Sequence, residues 1–159
     1  MIPTSHEPFI LQCYDLARQA VANGDHPFGA LLVREGEVVL TAVNTVHSNR
    51  DVTQHAELNL VSQAGRLLGY ATLADSILYT STEPCAMCTG AIFWADIPTI
   101  VYGCSAESLG QIAGGSFVVP SRQLLAKATR PTHIIGPVLE AEGIAIHQAY
   151  WPTYDNPLA

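Results

Sequence analysis

A mixed sheet with helices on both faces, an α/β domain, is the fold class this sequence predicts, and three observations carry it. The chain opens with a helix-period stripe, continues with two strand-like runs close enough to form a hairpin, and then alternates apolar runs with helix-compatible stretches. Its 159 residues fit a single domain spanning 1–159. With 48% hydrophobic residues, 13% charged and a mean hydropathy of +0.22, it is more apolar than a typical soluble protein. A covered sheet or a subunit interface would absorb that excess.

Residues 7–22 put Phe9, Ile10, Cys13, Leu16, Ala17, Ala20 and Val21 on one stripe, and Asn23-Gly24-Asp25 stops the helix. Residues 29–33 and 38–43, separated by Arg34-Glu35-Gly36-Glu37, predict a β-hairpin. Both runs are apolar on two faces, which predicts a sheet covered on both sides. From His55 to about Leu68 the chain returns to helix, with Leu58, Val61, Ala64 and Leu68 for one face and Gly69 as the stop. Residues 77–81 form a short buried strand, and Pro84 suits a helix start, so Cys85 to about Trp94 should be helical. Residues 100–103 predict a fourth strand and 133–136 a weaker fifth. Between them lie a glycine- and serine-rich loop, 105–117, and a short helix near Arg122–Lys127.

Charge narrows the function classes. The net charge is −7, Lys127 is the only lysine, and the arginines at 18, 34, 50, 66, 122 and 130 are scattered. Nucleic-acid binders displace counterions with clustered Lys and Arg, so a polymer substrate is disfavoured. No stretch approaches the roughly 18 apolar residues of a membrane span, and the first residues lack a basic segment leading into an apolar run. The expectation is a soluble cytoplasmic protein. In a reduced compartment Cys85 and Cys88, a CxxC, suit a metal better than a disulfide, while Cys13 and Cys104 read as buried apolar fillers.

His55-Ala56-Glu57 and Pro84-Cys85-Ala86-Met87-Cys88 carry the chemistry. Catalytic zinc takes three protein ligands and leaves a fourth position to water; His55, Cys85 and Cys88 supply three. The separation of thirty positions from His55 to Cys85 allows a helix and a strand, so two helix starts can converge on one ion. Partial positive charge at those starts favours thiolate. Zinc lowers the pKa of bound water toward neutrality, and Glu57 can pass a proton without being a ligand. A structural zinc would need a fourth ligand, for which Cys104 and His47 are candidates. That alternative describes a zinc-stabilised binding module without turnover.

His55-Ala56-Glu57, the run Thr82 to Ile92 around the CxxC, and Asp25-His26-Pro27-Phe28-Gly29-Ala30 resemble the cytidine and deoxycytidylate deaminase superfamily. Over about residues 7–115 the chain is most similar to guanine deaminases, cytosine deaminases and tRNA adenosine deaminases. The resemblance implies a three-layer α/β/α sandwich with a five-stranded mixed sheet, one zinc per chain on His55, Cys85 and Cys88, Glu57 as proton shuttle, and a homodimer. It also implies a base-binding Asn44 and a pocket-lining Phe28; their other readings are a turn asparagine and a packed core aromatic. Backbone groups around Ala56 and the Thr82-Glu83-Pro84 entry would add hydrogen bonds to the ring. Trp94 reads as core or interface.

Guanine deaminases of this type carry an acidic residue in the loop after the fourth strand, where this chain has Gly110-Gln111-Ile112-Ala113-Gly114-Gly115-Ser116. The glycines predict an open or mobile loop. The aromatic tail Tyr150 to Pro157 resembles the lids that close over free bases, which makes residues 145–159 a candidate C-terminal lid and Asp155 a candidate replacement carboxylate. The expected reaction is hydrolytic removal of an exocyclic amine as ammonia. A free nucleobase is the favoured substrate, guanine-like purines slightly ahead of cytosine. Nucleosides and aminated triazines are alternatives, and the acidic balance argues against a tRNA anticodon.

Overall fold

The computed structural model describes residues 5–115 and 117–153. Five strands, β1 (Gly29–Arg34), β2 (Glu37–Val43), β3 (Ile77–Thr82), β4 (Thr99–Cys104) and β5 (His133–Ile135), form one sheet in the order β2-β1-β3-β4-β5. β1 runs antiparallel to both β2 and β3, whereas β3, β4 and β5 are parallel. This mixed pairing matches the expected five-stranded architecture. It also gathers chain ends. Gly29 faces Val43, Ala30 faces Thr80, and Thr82 faces Cys104, so the start of β1 and the ends of β2, β3 and β4 meet at one edge.

The helices are α1 (Glu7–Ala22), α2 (Val46–Asn49), α3 (Ala56–Leu67), α4 (Tyr70–Ala74), α5 (Ala86–Trp94), α6 (Ala106–Ala113), α7 (Ser121–Leu124) and α8 (Glu140–Tyr150). Strand side chains alternate between faces, and the two faces build separate cores. Leu32, Leu78 and Ile100 pack with Leu60 and Ala64 of α3 and Ile92 of α5. Leu31, Tyr79 and Val101 pack with Ile10, Cys13 and Tyr14 of α1 and with Ile146 of α8. Each fully buried leucine contributes about 1.5–3 kcal/mol to this arrangement. α1 lies directly against the mouth of β1: a Cβ on Gly29 would stand 2.7 Å from both the Cys13 carbonyl oxygen and the Ala17 nitrogen.

Three expectations need correction. β3 and β4 are buried throughout, but β2 is an edge strand on which Glu37, Val39 and Thr41 are exposed, so the sheet is not covered on both sides along its whole width. The 105–117 stretch is not an open loop, because α6 occupies most of it. The Ser105 side chain caps α6 by accepting the Ser108 N–H, and Gly114 ends it in the left-handed conformation. Gly110 lowers helix propensity there, yet a Cβ at that position would meet the Val118 side chain at 2.7 Å.

α8 is the third correction, since the periodicity did not reveal it. Its buried positions are Gly143 and His147, neither an apolar marker. Gly143 lets the helix approach the sheet, because a Cβ would come within 2.8 Å of Cys104 Cβ and of the Tyr14 hydroxyl. A single 3-10 turn, Trp151–Thr153, follows. The candidate lid, 145–159, therefore begins as the last turns of α8, and its end lies outside the described residues. The short helix expected near Arg122–Lys127 is α7 with a following 3-10 turn, Leu125–Lys127. No helix among the described residues is long and apolar enough to cross a membrane.

Candidate active site

α3 and α5 both start at the edge where the strand ends meet, and each start carries a ligand-type side chain. His55 is the extended residue that precedes α3 and Cys85 the one that precedes α5. Cys88 follows one turn into α5 and is fully buried. His55 Nδ1 lies 3.6 Å from each sulfur. A tetrahedral zinc with bonds of about 2.0–2.1 Å to nitrogen and about 2.3 Å to sulfur requires an N···S separation of about 3.6 Å. The three side chains therefore fit the ion. They are also the only such group of ligand-type side chains among the described residues. Neither alternative fourth ligand joins them: Cys104 is buried with its sulfur on the Ser105 carbonyl, and the His47 ring packs on His26 at 4.5 Å. All four cysteines are free thiols, as expected.

Electrostatics prepare this group for a cation. Hydrogen bonding from Cys88, supplemented by His55, pulls the Cys85 thiol down to about 4 against the effect of burial. The bond to Cys85 raises His55, and Cys88 is pushed up by its own role in the Cys85 bond and then by burial. The protons shared among the three are those a divalent ion displaces.

Glu57 sits in the first turn of α3 and is buried at 4% exposure. The Thr80 hydroxyl of β3 donates to Glu57 Oε1 at 2.9 Å. Burial raises its pKa above the usual carboxylate value, which suits a group that picks up and releases a proton. The loop before Cys85 is held as firmly. The buried Glu83 carboxylate accepts the N–H groups of Ala106 at 3.0 Å and Ser121 at 2.8 Å, and the Pro84 carbonyl accepts the hydroxyls of Thr89 and Ser121. Ligands on helix starts thus have supports from α6 and α7 that spacing alone did not predict.

The remaining predicted residues fall around the same edge. Asn44, at the exit of β2, donates its backbone N–H to the Phe28 carbonyl at 3.0 Å, and its Oδ1 accepts from Val46 N–H at 3.1 Å. Its Nδ2 is buried with no hydrogen-bond partner. The next residue, Thr45, bonds the Gln54 carbonyl beside His55. Phe28 is half-buried and faces His147 and Trp151 at ring separations of 5.4 and 6.2 Å. Ala56 opens α3 with its methyl in the core. Asp155 lies outside the described residues.

Sequence reasoning missed the other half of this wall. His26 packs on Trp151 at 5.1 Å and its Nδ1 lies 3.1 Å from the Tyr150 hydroxyl. Burial, then His47 and His55, lower its pKa to about 4, so it is neutral at pH 7. Asp25, also buried, accepts the N–H groups of His47 and Ser48 and binds the Ser48 hydroxyl, which joins the β1 entry to α2. His26 was within a recognised motif, and Trp151 within the aromatic tail. For His147, no hydrophobic period or spacing gave a signal.

The sequence profile of the cytidine and deoxycytidylate deaminase zinc-binding region matches residues 3–104. The chain belongs to this deaminase family. The His55, Cys85 and Cys88 group can hold one zinc, and the protein is a zinc-binding hydrolytic deaminase. It is 37% identical over 151 residues to a probable cytosine deaminase of Schizosaccharomyces pombe, covering 90% of both chains. It is 41% identical over 99 residues to the guanine deaminase of Bacillus subtilis, 62% of this chain and 64% of that one. The solved structure of that guanine deaminase superposes with a TM-score of 0.64 at 32% identity, covering 96% of this deaminase and 97% of that chain. A structure from studies of A-to-I editing by tRNA:A34 deaminases gives a TM-score of 0.74 at 29% identity, over 87% and 98% of the two chains.

Proposed function

We propose that this deaminase acts on a free nucleobase, exchanging an exocyclic amine for a carbonyl oxygen with release of ammonia. The observation that carries the reading is the buried, unpartnered Asn44 Nδ2 beside an aromatic enclosure of His26, Phe28 and Trp151. An orphaned buried donor costs about 1–3 kcal/mol, a cost that a ring acceptor repays on binding. The aromatic faces suit a flat base, with Trp151 and Tyr150 as a roof drawn down to His26.

Bound to His55, Cys85 and Cys88, zinc supplies Lewis-acid activation of water. Glu57, held by Thr80, takes a proton from that water as its oxygen bonds to the amine-bearing ring carbon. The same carboxyl group delivers that proton to the neighbouring ring nitrogen and then carries the remaining hydroxyl proton to the amine nitrogen; the C–N bond breaks, and ammonia leaves while the ring carbon keeps the oxygen as a carbonyl. Asn44 Nδ2 orients the ring by donating to an acceptor on its edge, and the enclosure excludes bulk water.

Guanine-like purines lead, supported by similarity to the Bacillus guanine deaminase along nearly the whole of both chains. Cytosine is the second reading, supported by the Schizosaccharomyces relative over 90% of each chain. Ammonia release from guanine, cytosine, adenine, their nucleosides and tRNA separates these readings. Turnover of a free base is the expected result; turnover confined to nucleosides or tRNA overturns it. A homodimer is consistent with the outer face of α5, where Trp94 is 81% exposed, and light scattering that finds a monomer removes that part.

A further inference from the structure

We propose that His147 is a positioning residue, which fixes the roof of the base pocket by holding Trp151 in one orientation and thereby sets affinity for the base. The proposal rests on the free-base reading. His147 is buried at 1% exposure, although it lies on α8, beyond the residues the family profile matches. Such a buried imidazole must place both ring nitrogens. Its Nε2 lies 2.8 Å from Thr82 Oγ1 and its Nδ1 is 3.1 Å from Trp151 Nε1.

The two bonds fix the tautomer. An indole N–H only donates, so Nδ1 is the bare acceptor, the ring proton sits on Nε2, and Nε2–H donates to the Thr82 hydroxyl. One ring therefore connects two places. Thr82 ends β3 three residues before Cys85, whereas Trp151 carries the ring that faces His26 and Phe28. The His147 ring itself packs on Phe28 at 5.4 Å, so the histidine braces the roof from behind. Trp151 follows directly after α8 in a single 3-10 turn, and His147 is a hydrogen-bond partner that ties its indole back to the sheet. The hydrogen bonds of His147 go to Thr82 and Trp151, and it needs no part in bond making.

Two near-isosteres separate the two bonds. The Asn amide oxygen can occupy the place of Nδ1 and keep the acceptor for Trp151, whereas the Gln amide nitrogen reaches the place of Nε2, keeping the donor for Thr82 and losing the acceptor. The protein has two tryptophans, so Trp94→Phe gives a parent whose fluorescence reports Trp151 alone. In that parent, His147→Gln is expected to red-shift Trp151 emission, increase its quenching by iodide and raise KM for the base about tenfold, the equivalent of one lost hydrogen bond, at nearly constant kcat. His147→Asn should stay near the parent in all three. Trp151→Phe breaks the bond from its other end and should raise KM without a further rise when combined with His147→Gln.

Equal effects of Asn and Gln, or a fall in kcat at constant KM, would reduce His147 to core filler and overturn the proposal. If the parent turns over none of the free bases, the substrate reading fails, and the quenching comparison still decides whether His147 holds Trp151.

Discussion

Acidification should weaken the fold through His147 in a way that one substitution can isolate. Burial alone pushes this imidazole down to about 4 from an ordinary 6.5, and no charged neighbour contributes. Between those values the unfolded chain binds a proton that the folded chain refuses. The neutral ring's contribution to stability is therefore complete above pH 6.5, falls as pH drops, and is fully lost near pH 4. The slope is about 1.4 kcal/mol per pH unit and the full span about 3 kcal/mol. Urea unfolding of wild type and His147→Gln, in identical zinc, from pH 7.5 to 4.5 measures it. The zinc ligands and His26 also titrate, but both proteins keep them, so their contribution cancels in the difference. Wild type should lose about 2–3 kcal/mol more than the variant between pH 6.5 and 4.5. Parallel curves would refute the reasoning, because they would mean that His147 takes up its proton equally well folded and unfolded.

Two further outcomes test the site and its scaffold. Glu57→Gln keeps an oxygen for the Thr80 hydroxyl and removes the proton carrier, so turnover should fall by about 10²–10⁴ while zinc content stays at one per chain; unchanged turnover removes Glu57 from its role. Gly29→Ala forces a Cβ against the backbone of Cys13 and Ala17 and should cost about 1–3 kcal/mol in chemical denaturation, with an unchanged midpoint contradicting the packing of α1 on β1.

What was legible in the sequence had a period or a fixed spacing. α1 is found at the predicted boundaries because its apolar stripe is unbroken, and the hairpin, β3, β4 and α5 fall within a residue or two of expectation. The grouping of His55, Cys85 and Cys88 was legible because metal chemistry restricts both residue type and order, and Glu57 was read from the same motif. The unread parts lack that redundancy. α6 does carry Ala106, Leu109, Ile112 and Ala113 at helical spacing, but glycine at its centre and a glycine- and serine-rich setting hid it, whereas α8 has glycine and histidine at its buried positions and shows no apolar stripe. Glu83 was read only as part of a loop, since the N–H groups it accepts come from residues 23 and 38 positions further on.

This unevenness follows from how the site is assembled. Holding an ion demands donor atoms at fixed separations, and helix starts at strand ends provide them within the stretch 3–104 that the family profile matches. Enclosing a flat ring demands a surface of the right shape, which many residue combinations can provide. In the proposed base site that surface is shared between the β1 entry, with His26 and Phe28, and the end of α8, with Tyr150 and Trp151. The second contribution lies beyond the matched region, and relatives that share the deamination chemistry differ in the substrates they are named for. The buried ring of His147, bonded to Thr82 on one side and to Trp151 on the other, is the point at which the proposed roof is attached to the metal-binding edge.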